Sequence, residues 1–365
     1  METPDYGVVL TGCPMKKLLA ILTAALLLLP SPGKTQQTHS TENIVRAANA
    51  FLSSLTAEQR QKVLYAFNDS EQRARWSNLP TGFVPRSGIN LKQMSAAQRA
   101  AAMRLLATVL SPMGLEKVNQ IRAADDDFKA NGSRRGPRGP GGSPPPPRDD
   151  MFGGDLYYIS FLGTPSSTDP WMLQFGGHHL ALNIVIAGSQ GVLTPTLTGA
   201  QPATFNLNGK TVRPLGRESD KALALLNSLD AKQRAQAVLN YRVADLVLGP
   251  GQDGRKIAAE GLQAATMSAG QRAMLLDLIG EWTNILNESS ATVRMSEMQK
   301  DLAETWFAWS GPVTGETGRN ITAYYRIQGP HLVIEYAPQQ DEPGNHIHTI
   351  YRDPTNDYGQ ALTKP

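Results

Sequence analysis

Four short segments repeat one pattern and restrict the architecture of this chain more than any other feature: "LTAEQR" from Leu55, "MSAAQR" from Met94, "LDAKQR" from Leu229 and "MSAGQR" from Met267. Thr56, Ser95, Asp230 and Ser268 are good helix N-caps. Gln59, Gln98, Gln233 and Gln271 follow three positions later, where a side-chain amide reaches back to the N–H of the cap. Each segment is therefore expected to open a helix, with Val63, Leu64 and Phe67 continuing the first and Leu275, Leu276 and Ile279 the last. Leu55 to Met94 is 39 residues and Leu229 to Met267 is 38, so the two pairs look duplicated.

Beyond each pair the text becomes strand-like: "DLYYISFLGTP" and "WMLQFGGHHLALNIVI" in the first half, "TWFAWSGPV" and "AYYRIQGPHLVIEYA" in the second. Laying "GHHLALNI" on "GPHLVIEY" matches His179 with His331 and Asn183 with Glu335. The expected fold class is α+β, internally duplicated, with half-repeats at 39–215 and 216–365. Each would be a capped helical pair followed by a small, mostly antiparallel sheet. The first half is longer by "NGSRRGPRGPGGSPPPPR", residues 131–148, a Gly/Pro/Arg insert with nothing apolar to bury and hence expected to be a disordered surface loop.

With 41% apolar residues in 365, the chain can bury a substantial core. The 35 Lys and Arg exceed the 32 Asp and Glu by only three, and they are dispersed, so no nucleic-acid partner is expected. Lys16 and Lys17 before "LLAILTAALLLLP" read as an export signal within residues 1–38, with Met15 an alternative start. The run is short for a bilayer, so the mature chain is expected outside the membrane, in a periplasmic or extracellular compartment. Cys13, the single cysteine, would leave with the signal, which removes disulfides and thiolate metal sites.

The chemistry, if any, lies with the six histidines. "GNHIHTIYRDPTNDYG", residues 344–359, places His346 and His348 on alternate positions, where an extended backbone aims both rings to one side. In an extended strand His179, Ala181 and Asn183 would share a face and His178 would point to the other. His179, His346 and His348 are therefore the candidate metal ligands, with Glu335 or Asp353 as the acidic ligand or general base. His178, His331, Arg352, Asp357 and Tyr358 are lesser candidates. His178 and His331 are as readily satisfied packing residues, Glu335 a partner of Arg326, and "DPTNDYG" an ordinary turn. A nitrogen and oxygen donor set favours zinc or iron, with copper and manganese open. The expected function is a metal-dependent enzyme on an unknown small-molecule or polymer ligand, hydrolase ahead of oxidoreductase; the alternative is a non-catalytic secreted binding or structural module. A phosphate-binding glycine loop and a GxSxG serine elbow are both absent from the sequence.

"YYISFLGTP", "FGGHHLALN", "GPHLVIEYA" and above all "GNHIHTIYRDPTNDYG" make nearly all of the mature chain similar to an exported bacterial family catalogued as domain of unknown function 3500. The resemblance implies export and a histidine-bearing motif, and it implies no substrate. The Pro-rich insert departs from the family pattern.

Overall fold

The computed structural model describes residues 1–2, 32–132 and 146–362. Most of the expected export signal, and residues 133–145 of the insert, lie outside the described residues. In chain order the elements are α1 (Pro32–Ser54), α2 (Ala57–Val63), β1 (Leu64–Tyr65), α3 (Ser70–Arg73), β2 (Ile89–Asn90), α4 (Ala96–Val109), α5 (Pro112–Asn131) and α6 (Arg148–Met151). There follow β3 (Tyr158–Leu162), β4 (Trp171–Gly177), β5 (Leu180–Ala187), β6 (Gln190–Val192), β7 (Thr196–Ala200), β8 (Phe205–Leu207), β9 (Lys210–Val212), α7 (Gly216–Ser228) and α8 (Ala231–Ala237). The remainder is β10 (Leu262–Gln263), α9 (Ala269–Thr283), α10 (Glu288–Lys300), β11 (Trp306–Ser310), β12 (Tyr324–Gly329), β13 (Leu332–Pro338) and β14 (Ile347–Arg352). Among the described residues no helix is long and apolar enough to cross a membrane.

All four expected helix starts are capping boxes. The glutamines do more than cap. Gln98 Nε2 donates to Gln59 Oε1 at 2.7 Å and to the Ser54 carbonyl at 2.9 Å, and Gln271 Nε2 repeats both bonds with Gln233 (2.9 Å) and Ser228 (2.8 Å). The arginine after each glutamine also has work: Arg60 donates to Leu52 O and Arg234 to Leu226 O, closing the end of the preceding helix. The first helix is shorter than its apolar spacing suggests. It stops at Val63, and Leu64 and Tyr65 pair with β3, because the sheet edge offers backbone partners that a further helical turn would forgo. Arg148, counted with the insert, is packed, its guanidinium 5.3 Å from the ring centres of both Phe128 and Phe152.

Each long stretch of strand text folds as a hairpin, β4–β5 and β12–β13, since neither is a single strand's length. The pairing is antiparallel except for β1 with β3, and it runs β1-β3-β4-β5-β7-β14-β13-β12-β11-β10 in one sheet, with β2 and β6 at its margins. The central β7–β14 pair joins strands from the two halves. Thr198 and Thr349 meet across it through hydroxyls 2.7 Å apart, and Trp282 Nε1 donates to Thr349 Oγ1 at 3.1 Å.

One face of this sheet is apolar and carries the helices. Ile159, Phe161, Leu173, Phe175, Leu182 and Ile184 pack under α1 and α4, while Phe307, Trp309, Tyr325, Ile327, Ile334 and Tyr336 pack under α7 and α9. That segregation is the α+β class. The opposite face carries most of the sheet's buried polar side chains and is covered by residues 66–88, which include α3, and by 239–261. On it Gln174 links Gln72 (2.8 Å) to Asn183 (3.0 Å), and Trp76 and Leu246 pack over Ala181, Leu197 and Ile350. Alternation along each strand therefore decides which side chains reach the covered polar face.

Candidate metal centre

On the polar face, at one end of the β7–β14 seam, three imidazoles converge. His348 lies within β14, His346 just before it, and His179 in the two-residue turn between β4 and β5. The turn overturns the expectation that His178 and His179 lie in a strand and point to opposite faces. The chain reverses there, His179 takes a left-handed backbone (φ 58°), and the two rings stack with centroids 3.7 Å apart. A non-glycine residue in that region costs about 1 kcal/mol and persists only where its surroundings hold it. Here the His179 carbonyl accepts the Gly199 N–H at 2.7 Å. A Cβ on Gly199 would stand 3.2 Å from the His179 ring and 2.8 Å from the Ile347 carbonyl, so only glycine lets the turn approach β14.

The three Nε2 atoms form a triangle with edges of 3.0 Å (His179–His346), 3.1 Å (His346–His348) and 3.2 Å (His348–His179). What occupies their other nitrogens decides what the triangle can do. His346 Nδ1 is 3.1 and 3.2 Å from the two Asp341 oxygens, and His348 Nδ1 is 3.5 Å from Asp245 Oδ1 and 3.2 Å from the Asn78 amide. A carboxylate only accepts, so both rings carry their proton on Nδ1 and turn a bare Nε2 lone pair inward; the Asn78 amide, turned over, accepts from the same Nδ1–H. Lone pairs this close repel unless an electrophile sits between them. Three imidazoles with their Nε2 atoms turned to one point, two of them held by carboxylates from behind, are a metal-binding arrangement.

Electrostatics agrees. Burial first, then the neighbouring His178, His346 and His348, hold the His179 imidazole well below its ordinary value. Burial and His348 bring His346 down to about 4, against the opposing pull of Asp341. Near neutral pH both rings are unprotonated and free to coordinate. His179, His346 and His348 are close enough to bind one ion, and among the described residues no Cys, Asp or Glu joins them as a further ligand. His346, with 14% of its side chain exposed beside a 62% exposed Asp341, is the most accessible of the three.

The surroundings hold each ligand in place. His178 Nδ1 bonds Asp125 at 2.7 Å, and both are buried behind the His179 ring. Arg86 donates to Ser77 O (2.8 Å), Leu79 O (2.7 Å), Gly177 O (3.1 Å) and Val84 O, fastening the Asn78 segment to the β4–β5 hairpin. Burial draws the Arg86 guanidinium down to about 10.

The expected acidic ligand is not at the triad. Glu335 lies on the same face, but its carboxylate accepts from Tyr324 Oη (2.7 Å), Val247 N (3.2 Å) and Leu248 N (2.9 Å), so its oxygens are committed to holding the segment that carries Asp245. Burial raises the Glu335 carboxyl, and those donors oppose the rise. Asp353 is five residues past His348, on the order of 16 Å along an extended chain. Its oxygens bond Arg294 (2.9 Å) and Thr355 (2.7 Å). Arg352 donates to Leu248 O, Gly249 O, Asp253 and Asp357, and Tyr358 Oη accepts from Trp76 Nε1 at 2.8 Å. "RDPTNDYG" thus ties the two covering segments to the sheet. His331, at the β12–β13 turn, pairs with Asp301 at 2.6 Å on the surface.

Sequence reasoning missed Asp341, Asp245, Asn78 and Gly199. Asp341 stands five residues before His346 and was open to notice as an acid beside the HxH; the other three come from distant segments and carry no local signal. Neither a curated protein nor a solved structure matches the chain. The family model described as protein of unknown function (DUF3500) matches residues 37–360, and with the match covering nearly the whole chain, this protein belongs to that family.

Proposed function

We propose that this chain is an exported, divalent-metal-dependent enzyme, a hydrolase, whose ion is held by His179, His346 and His348. The observation that carries the reading is the triangle of Nε2 atoms within 3.2 Å of one another, with the Nδ1 atoms of His346 and His348 facing Asp341 and Asp245. Three protein ligands leave coordination free for water or substrate, whereas structural zinc sites are closed by four. An ion bound there would supply Lewis acidity and would lower the pKa of water toward neutrality. Asp341 and Asp245 act as positioning residues, fixing ring orientation and raising the basicity of the imidazoles. Substrate approaches past His346, the most exposed ligand.

Lys16, Lys17 and the apolar run after them support export. The paired capping boxes, and the matching order β3-β4-β5-β7 and β11-β12-β13-β14, support descent from a duplicated unit in which the His331 turn has no metal role. Elemental analysis of the purified protein, beside a His346→Ala, His348→Ala double variant, tests the function. Near-stoichiometric metal that the folded double variant loses is the expected result; zinc favours hydrolysis, and iron or copper favours an oxidoreductase on the same nitrogens. A protein that takes up no metal on reconstitution, with the variant unchanged in stability, overturns the reading.

A further inference from the structure

Away from the triad, the layer of helices hides a second cluster of charge. Lys117 of α5, Glu218 of α7 and Glu281 of α9 meet there with 6%, 1% and 3% of their surfaces exposed. Lys117 Nζ donates to Glu218 Oε1 and, at 3.1 Å, to the Glu281 carbonyl, and it stands 3.9 Å from Glu281 Oε2. The lysine belongs to the first half of the chain and both acids to the second. We infer that Lys117 and Glu218 condense to an isopeptide bond, with Glu281 relaying the proton, so that an amide joins the two halves.

As a set of ions the cluster is poorly matched. One lysine lies between two carboxylates, and Glu218 Oε2 and Glu281 Oε2 are both buried without a hydrogen-bond partner. Buried charges are costly unless each is paired and fully bonded, and condensation replaces the Lys117–Glu218 ion pair with a neutral amide. Burial raises the Glu218 carboxyl, against the pull of Lys117 and with the push of Glu281, which favours the uncharged acid that an amine attacks. With a single cysteine in the sequence the chain forms no disulfide within itself, so this amide is its covalent tie between the halves.

The step needs no outside reagent. A proton passes from the Lys117 ammonium to the Glu218 carboxylate, and the neutral amine then attacks Glu218 Cδ. Glu281 Oε2 takes the next proton from the nitrogen and hands it to the departing Glu218 hydroxyl; the C–N bond forms, the C–O bond breaks and water leaves. Lys221 Nζ holds the other Glu281 oxygen at 2.6 Å, which fixes the carboxylate for that transfer. A cavity of about 90 Å³, lined by Lys117, Glu218 and Glu281 together with Arg213 and Arg217, has room for the water released.

The test is a tryptic digest of the purified and then denatured full chain, read by mass spectrometry. Trypsin does not cut after an acylated lysine, so the expected product is one fragment joining residues 105–122 to residues 218–221, lighter by one water than the two peptides together. The folded Glu281→Gln variant should lose that fragment and release 105–117, 118–122 and 218–221 as separate peptides. Separate peptides from the unaltered protein overturn the inference, whatever the variant does. A linked fragment that persists in Glu281→Gln overturns the part given to Glu281 and leaves the bond standing.

Discussion

Gly199 sets the spacing of the triad although it touches no ion. In Gly199→Ala the new methyl meets the Ile347 carbonyl at 2.8 Å and the His179 ring at 3.2 Å, pushing the β4–β5 turn that carries His179 away from β14. Overpacking of this kind costs roughly 1–3 kcal/mol. The expected outcome is a folded protein with a lowered melting temperature and at least tenfold weaker metal binding by calorimetric titration; unaltered affinity would show that the turn tolerates the methyl. Asp341 is a contrasting case, exposed and bonded mainly to His346 Nδ1. Asp341→Ala should leave thermal stability nearly unchanged and weaken metal binding about 10- to 100-fold, the usual effect of losing a carboxylate behind a ligating histidine.

The histidines also set a pH response. His346 has a folded value of about 4 against an ordinary 6.5, so on acidification the unfolded chain takes up this proton first. Stability of the metal-free protein should therefore fall as pH drops from about 6.5 toward 4. His179, shifted in the same direction by burial, steepens the loss. Chemical denaturation between pH 7.5 and 4 measures it; midpoints independent of pH over that range would show that the rings are not buried neutral.

At the scale of elements, the capping boxes are where sequence and structure agree most closely, because both halves of the interaction lie within four residues. Gln98 accepts from Ser95 N (2.8 Å) in the cap and also donates to Ser54 O and Gln59, far away in sequence. Gln98→Ala should cost about 2 kcal/mol by denaturant unfolding, more than the ~1 kcal/mol of an ordinary cap, since it also removes the bonds to Ser54 O and Gln59. A loss below half of that would mean that Gln59 or water takes over. The hairpin turns were less legible. Alternation in "QFGGHHLALNI" reads as one strand through both histidines, and nothing local reveals that His179 adopts a left-handed conformation, which depends on a bond from Gly199, twenty residues on. HxH alternation at the start of β14 was readable, since it needs only an extended backbone.

Over the whole molecule, the ligands come from both halves, and so does the structure that holds them. The sheet is continuous through β7 and β14, while in the helical layer Ser111 N donates to Ile285 O (3.0 Å) and Asn287 N to Val109 O (2.9 Å). Unfolding should accordingly be one cooperative transition with coincident calorimetric and van't Hoff enthalpies, raised as a unit by metal. Two transitions, only one of them metal-sensitive, would contradict a shared centre. The joining of the halves was beyond reach of the sequence, because capping and alternation act within a few residues and the seam pairs residues some 150 apart. The same limit hid Asp245 and Asn78 and made Glu335 and Asp353 look like ligands, when their oxygens are occupied by Leu248 and Arg294. The metal centre is tested most directly by crystals of the protein grown with zinc or iron and measured above the absorption edge of the metal. An anomalous peak about 2.1 Å from the Nε2 atoms of His179, His346 and His348 is the predicted result; an ion bound elsewhere, with the three rings hydrogen-bonded only to one another, would contradict it.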